Sequence, residues 1–253
     1  MPVEWIFFDA GNTLIGLNYS LVISALRSEG LKVDEMTLRR AESAARRVLE
    51  ATILRRFQAG GLPRTGWVEA EVWRAFWRQV LEVCGAGTYA ADDMVTAVLD
   101  VTRPASSWDR VESTTAHALD ELAGAGYRLG VISNSSGTLT EHLRRLDLAG
   151  RFEVIIDSKD VGVEKPHPDI FRLALERAGG VEASRTLYVG DVYAIDVLGA
   201  ASAGMHAMLF DPMGDWDPAC LPEGAPACRT LGSIAELPGL LRTSGRSADR
   251  GQD

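Results

Sequence analysis

The sequence predicts an α/β fold: a parallel sheet covered by helices, with a separate block of helices inserted after the first strand. Three observations carry that reading. Short apolar segments rich in β-forming residues recur at 3–8, 128–133, 152–156, 186–189 and 206–210. After residue 105 they alternate with helical patterns near 109–124, 138–147, 169–178 and 195–203, the alternation that builds right-handed parallel crossovers. Residues 17–104, by contrast, are helical in period throughout.

In chain order, Val3-Glu4-Trp5-Ile6-Phe7-Phe8 reads as a buried strand and Asp9-Ala10-Gly11-Asn12-Thr13 as the turn that ends it. Tyr19 to Glu29 is a helix with apolar residues at 21, 22, 25 and 26, stopped by Gly30. A long helix runs from Asp34, a good N-cap, to Phe57, and Gly60-Gly61-Leu62-Pro63 breaks it. A third starts at Thr65 or Gly66, with Val68, Val72, Phe76 and Val80 at i+4 spacing and Trp73, Trp77 and Leu81 beside them. Asp92 to Thr102 is the fourth, ended by Pro104.

Together these four make a small bundle. The strand at 3–8 cannot bury both faces alone, so it joins the later sheet. The chain then divides into a core of residues 1–16 and 105–242 and a helical cap of residues 17–104. Hinges near Gly16 and Pro104 would let the cap open and close over Asp9. Residues 243–253, polar and rich in glycine and charge, are expected to form a disordered tail.

Composition bounds the function. Of 253 residues, 46% are hydrophobic and 24% charged, the balance of a globular protein. A net charge of −9 argues against sequence-independent nucleic-acid binding, which needs clustered positive charge. No apolar run reaches the ~18–20 residues that span a bilayer. The start Met1-Pro2-Val3-Glu4-Trp5 lacks the basic region of a signal peptide. Cys84, Cys220 and Cys228 are too few and too scattered for a disulfide scaffold or a zinc site. The expectation is a cytoplasmic protein with a small-molecule substrate and neither nucleic-acid nor membrane partners. Its oligomeric state is not written in the sequence. Lys32, Lys159 and Lys165 are the only lysines, so chemistry that needs an amine has three candidates.

In an open parallel sheet, ligands bind beyond the carboxyl ends of the strands. The first strand ends in Asp9; the strand from 128 ends in Ser133-Asn134-Ser135-Ser136-Gly137; the strand from 186 ends in Gly190-Asp191, with Asp196 five residues on. Between them, Val163-Glu164-Lys165-Pro166-His167-Pro168 holds a lysine in a stiff loop. Asp9, Asp191 and Asp196 would repel unless a cation sat among them, and a hard cation that favours carboxylate and carbonyl oxygens is Mg²⁺. Lys165, Ser133 and the amides that follow it are then candidates to hold phosphate oxygens. A strand-end carboxylate facing phosphate is placed for in-line attack and an aspartyl-phosphate.

The order Phe7-Phe8-Asp9-Ala10-Gly11-Asn12-Thr13-Leu14, Val131-Ile132-Ser133-Asn134, Val163-Glu164-Lys165-Pro166 and Val189-Gly190-Asp191-Val192-Tyr193-Ala194-Ile195-Asp196 resembles the four motifs of the haloacid dehalogenase-like hydrolase superfamily. The helical insertion is similar to that family's C1-type cap, and the resemblance spans roughly residues 3–241. It implies a Rossmann-like core, Asp9 as nucleophile and metal ligand, and Asp191 and the Gly11 carbonyl as further metal ligands. It also implies Asp196 supporting the metal shell, Ser133 and Asn134 on phosphate, and Lys165 neutralising both nucleophile and phosphate.

One position departs from the pattern. Phosphatases of this family usually carry an acid–base aspartate two residues after the nucleophile, where this chain has Gly11. Such a group is worth about 10²–10⁴ in rate, or some 3–5 kcal/mol. The leading expectation is a Mg²⁺-dependent phosphatase acting on a small phosphorylated metabolite, its acid supplied elsewhere or made unnecessary by a good leaving group. A 2-haloacid dehalogenase would also lack that aspartate, but the Asp191 carboxylate would repel its anionic substrate. A Schiff-base phosphonate hydrolase needs a cap lysine, and Lys32 alone is available, in a loop. A catalytically weak binding or scaffold protein on the same fold is the remaining alternative.

Other residues have plainer readings. Two of Trp67, Trp73 and Trp77 are expected in the cap core by helical spacing. Arg39-Arg40, Arg46-Arg47 and Arg55-Arg56, interleaved with Glu42 and Glu50, read as a solvated face. His117, His142 and His206 fall in core elements, and His167 adjoins Lys165.

Overall fold

The computed structural model describes residues 3–58, 63–66, 70–87, 92–218 and 225–248. Its strands are β1 (Trp5–Phe8), β2 (Arg128–Ser133), β3 (Val154–Asp157), β4 (Thr186–Gly190), β5 (His206–Phe210) and β6 (Arg229–Leu231). Helices α1 (Tyr19–Ser28), α2 (Glu35–Gln58), α3 (Ala70–Leu81) and α4 (Asp92–Thr102) lie between β1 and β2 in the chain. After them come α5 (Thr115–Gly124), α6 (Leu139–Arg145), α7 (Ser158–Val161), α8 (Pro168–Arg177), α9 (Leu198–Ser202) and α10 (Leu237–Ala248). The chain divides into two compact units, Met1–Leu14 with Val111–Asp253, and Ile15–Arg110.

In the first unit six strands form one sheet, ordered β3-β2-β1-β4-β5-β6, with every pairing parallel. This is the α/β, Rossmann-like architecture expected. Strand β1 is central: Phe8 stands opposite Val131 of β2 and Val189 of β4. All four of its side chains are buried, as a strand covered on both faces requires. Each such burial stabilises by about 1.5–3 kcal/mol. Gly130 in β2 leaves room for the Phe7 ring, which an added Cβ would approach to 2.5 Å. Strand β6 carries no sequence signal, because it is three residues long and its first two are exposed.

In the second unit, Asn18 caps α1 by accepting from the Ser20 N–H, and Asp34 caps α2 by accepting from the Thr37 N–H at 2.9 Å. Val22, Leu26, Leu38, Ala45, Leu49, Phe76, Trp77 and Val80 are buried. Trp73 is instead 40% exposed, lying edge-on against Phe76 at 5.7 Å at the border of the apolar stripe. Trp67, Val68, the Gly60-Gly61-Leu62 break and Cys220 lie outside the described residues.

Glu42 and Glu50, expected on a solvated face, are buried. Glu42 is partnered there, which is what makes a buried carboxylate tolerable. It accepts from the Tyr19 hydroxyl at 2.6 Å and from Arg46 at 3.3 Å, while the Arg39 guanidinium lies 4.8 Å over the Tyr19 ring. Residues 109–114 are not helical: Gly16 and Arg110 exchange backbone hydrogen bonds of 2.6 and 3.2 Å, and α5 starts only at Thr115.

At the far end α10 continues to Ala248, so the backbone from 243 to 248 is helical rather than a disordered tail; residues 249–253 lie outside the described residues. His142 is buried, but His117 and His206 are exposed on the outer sides of their elements. Among the described residues no helix is long and apolar enough to cross a membrane.

Candidate active site

Strand order reverses between β1 and β4, with β2 and β3 on one side and β5 and β6 on the other. Crevices form at such switch points, outside the carboxyl ends of the strands. Asp9 is the first residue beyond β1, and its backbone N–H donates to the Val189 carbonyl of β4 at 2.8 Å. The turn that follows is closed by the Leu14 N–H on the Ala10 carbonyl at 3.0 Å. Its tightest position is Asn12, with φ of 56°, a left-handed conformation that asparagine tolerates. Asp191 is the first residue beyond β4, and Asp196 sits in a π-helical turn, Tyr193–Val197.

Asp9, Asp191 and Asp196 are all buried and present carboxylate oxygens within 4.8 Å of one another. Lys165, only 2% exposed, places its ammonium against two of them, Asp9 and Asp196. Its Nζ donates to Asp9 Oδ1 at 2.6 Å, to Asp196 Oδ1 at 2.7 Å and to the Tyr188 hydroxyl at 2.7 Å. The other oxygen of Asp196 accepts from the Val192 N–H at 2.9 Å. Gly190 makes this packing possible, since a Cβ there would lie 2.3 Å from Asp196 Cγ.

The electrostatics follow from burial and from charge count. Burial, reinforced by the Asp196 charge, pushes the Asp9 carboxyl up from 3.8 to about 6, although Lys165 pulls the other way. Burial works against the Lys165 ammonium, but the charges of Asp196 and Asp9 outweigh it and hold its pKa above the usual lysine value. Burial and then Asp196 push the Tyr188 hydroxyl well above its ordinary range, so it stays protonated.

The three carboxylates form a donor set suited to a hard divalent cation. Asp196 has both oxygens engaged by Lys165, Tyr188 and Val192, so it suits the outer support of such an ion better than direct ligation.

The Lys165 loop is held by Asn134. The Asn134 amide donates to the Lys165 carbonyl at 2.9 Å, and its side-chain oxygen accepts from the Lys165 N–H at 2.8 Å. The resemblance implies Asn134 on phosphate; its side chain is turned to the Lys165 backbone. Ser133 is buried at the end of β2. Of the amides after it, Ser135 donates to Ser158 Oγ at 3.1 Å and Gly137 to Asp157 Oδ2 at 2.8 Å. These two point into the protein rather than toward a ligand. His167 caps α8, its Nδ1 accepting from the Asp169 N–H at 3.2 Å.

Two residues of this site escaped the sequence reading. Asp157 orders the loop after β2 by accepting from the Gly137, Leu139 and Lys159 amides. It is a strand-end acid like Asp9, and the expected strand, ending one residue early at Ile156, obscured it. Tyr188 had a weaker signal: a hydroxyl inside an otherwise apolar central strand must find a partner.

Acids at the carboxyl ends of neighbouring parallel strands, with a buried lysine in contact with one of them, mark the candidate site of an α/β protein. The haloacid dehalogenase-like hydrolase model matches residues 3–204, and the chain belongs to that family of hydrolases. It is 29% identical over 216 residues to haloacid dehalogenase-like hydrolase domain-containing protein 3 of Danio rerio, covering 83% of this chain and 86% of that one. It is 43% identical over 96 residues to the glyceraldehyde 3-phosphate phosphatase of Methanothermobacter thermautotrophicus, covering 38% of this chain and 42% of that one. Its fold is similar to that of YfnB from Bacillus subtilis, solved bound to magnesium, with a TM-score of 0.62, 20% identity, and coverage of 95% and 99% of the two chains.

Proposed function

We propose that this hydrolase is a Mg²⁺-dependent phosphatase acting on a small phosphorylated metabolite. The observation that carries the reading is the buried cluster of Asp9, Asp191 and Asp196 with the Lys165 ammonium 2.6 Å from Asp9. The relative named as a glyceraldehyde 3-phosphate phosphatase supports a phosphate ester as substrate. The proposal includes a cytoplasmic setting, to which the scattered cysteines are suited.

Asp9, Asp191 and the Gly11 carbonyl would hold Mg²⁺, with Asp196 behind them. The ion would supply positive charge to the oxygens of the transferring phosphoryl group. Asp9 is the nucleophile: a carboxyl with a pKa of about 6 is mostly ionised near neutral pH. Its oxygen bonds to phosphorus as the bond from phosphorus to the leaving oxygen breaks, forming an aspartyl-phosphate. Lys165 keeps Asp9 oriented and balances its charge. Ser133 and the backbone of Asn134 receive phosphate oxygens. Since Gly11 offers no acid, the leaving oxygen takes its proton from water, which favours substrates with acidic leaving groups such as acyl phosphates. A second water then cleaves the aspartyl ester, releasing phosphate and restoring the carboxylate.

The test is hydrolysis of p-nitrophenyl phosphate with magnesium and with chelator, set beside halide release from 2-chloropropionate. Expected are magnesium-dependent phosphate release, no halide release, complete loss in Asp9→Asn and a higher magnesium requirement in Asp191→Asn. Halide release without phosphatase activity would replace this reading with a dehalogenase. Inactivity on both, and on a metabolite panel, would point to a binding protein.

A further inference from the structure

Two acids of the cluster, Asp191 and Asp196, share one short segment, and Tyr193 lies between them, two residues after the first and three before the second. Its side chain is wholly buried. The ring stacks on Trp216, with centroids 4.9 Å apart and planes 26° from parallel, and the hydroxyl donates to the Pro226 carbonyl at 2.6 Å. Both partners come from the segment that joins β5 to β6. We propose that Tyr193 and Trp216 are positioning residues, by which that segment holds the Asp191–Asp196 loop in a metal-ready shape and so sets the affinity of the site for Mg²⁺. This rests on the Mg²⁺-dependent reading and deepens it, by naming what keeps the carboxylates gathered before an ion arrives.

The need for such a hold is electrostatic. Carboxylates within 4.8 Å of one another repel when no cation lies among them. Asp196 is fastened locally: its Oδ2 accepts from the Val192 N–H at 2.9 Å, and its own N–H donates to the Val192 carbonyl at 2.7 Å. Those bonds close the turn upon itself, whereas Tyr193 fastens it to a distant part of the chain.

Trp216 is itself anchored. Asp211, the first residue beyond β5, donates its N–H to the Leu231 carbonyl of β6 at 2.8 Å. Its carboxylate accepts from the Asp215 and Trp216 N–H groups at 3.2 and 2.9 Å. The stack therefore links the Asp191 loop to the ends of two further strands. Mg²⁺ demands near-ideal octahedral geometry, so a loop already in shape binds it with less reorganisation than one that must be gathered.

Trp216→Leu keeps apolar bulk and removes the ring. In metal-free protein, amide hydrogen exchange of residues 191–197 should accelerate about tenfold in this variant, while that of β1 and β4 holds. Calorimetric titration with magnesium chloride should give a Kd about tenfold above wild type. At saturating magnesium, kcat and KM for p-nitrophenyl phosphate should lie within about twofold of wild type, a split that general loss of structure would not give. Trp216→Phe, which restores a ring, should bring the Kd to within about threefold of wild type.

The proposal is overturned if Trp216→Leu leaves the Kd for magnesium within about twofold of wild type, or if kcat at saturating magnesium falls as far as the affinity does. It is also overturned if Trp216→Phe binds magnesium no better than Trp216→Leu, because the stack would then not be what acts. A wild type that binds no magnesium sinks the Mg²⁺ reading, and the exchange comparison in metal-free protein still decides whether Trp216 holds the loop. If Trp216→Leu fails to fold, Tyr193→Phe decides. It keeps the stack and loses the Pro226 bond, so the Kd should rise about threefold, and an unchanged Kd with unchanged exchange overturns the proposal.

Discussion

Asn134 and Lys165, 31 residues apart in the chain, are joined by a closed pair of hydrogen bonds, with the asparagine side chain reading both the N–H and the carbonyl of the lysine. The ammonium that touches Asp9 is therefore aimed by the loop after β2. Two segments that look like separate motifs are one mechanical unit.

Replacing Asn134 should then act through Lys165. Asn134→Ala removes both bonds and is expected to cost about 1–3 kcal/mol in urea unfolding. It should lower kcat by about a hundredfold, because a small displacement of a catalytic group suffices for that. Asn134→Asp keeps an acceptor for the Lys165 N–H but sets a carboxylate against the Lys165 carbonyl, so it should rescue neither measurement.

Gly190 is constrained by space alone. Gly190→Ala would drive its Cβ into Asp196, and overpacking of this kind costs about 1–3 kcal/mol. Activity should fall with stability, because Asp196 is one of the three anchors of Lys165. A fully active Gly190→Ala enzyme would mean that Asp196 moves freely and does not hold the ammonium.

The raised pKa of Asp9 sets a pH dependence in metal-free protein. Folded, this carboxyl holds its proton up to about 6; unfolded, it releases it near 3.8. Between those values the folded state binds more protons, so the Asp9 contribution to stability declines as pH rises and is at its most unfavourable above about 6. With chelator present, the stability of wild type relative to Asp9→Asn should therefore fall between pH 4 and pH 6 by about 2 kcal/mol. Added magnesium should oppose that fall. A flat difference across the window would place Asp9 in a more solvated setting than the one described.

Gly11 is the position to restore. If an acid–base group is what the site lacks, Gly11→Asp should raise kcat for phosphate esters with poor leaving groups, by up to about a hundredfold. Esters with good leaving groups should gain little. A lower rate on both would indicate a site shaped for chemistry that excludes a carboxylate there.

Much of this was legible in the sequence, for local physical reasons. Alternation of apolar strands with helical periods announced the parallel sheet. Strand-end acids announced Asp9 and Asp191, because a charged residue that closes an apolar run marks where the chain leaves the core. The cap at Asp34 is likewise local, a side chain bonding an amide three residues away. What failed were inferences that needed a neighbour. Glu42 looked solvated until Tyr19 and Arg46 were brought to it, and residues 109–114 looked helical until Gly16 paired with Arg110.

By itself the sequence determined the sheet, the inserted helices and the identity of the acids and the lysine at the strand ends. Only the tertiary structure decided that Lys165 meets Asp9, Asp196 and Tyr188, that Asn134 serves the lysine loop, and that Tyr188 and Asp157 belong to the site. The reason is range. Periodicity and turn chemistry act over a few residues, whereas the contacts of Lys165 with Asp9, Tyr188 and Asp196 join positions 156, 23 and 31 residues apart, which only folding brings within reach.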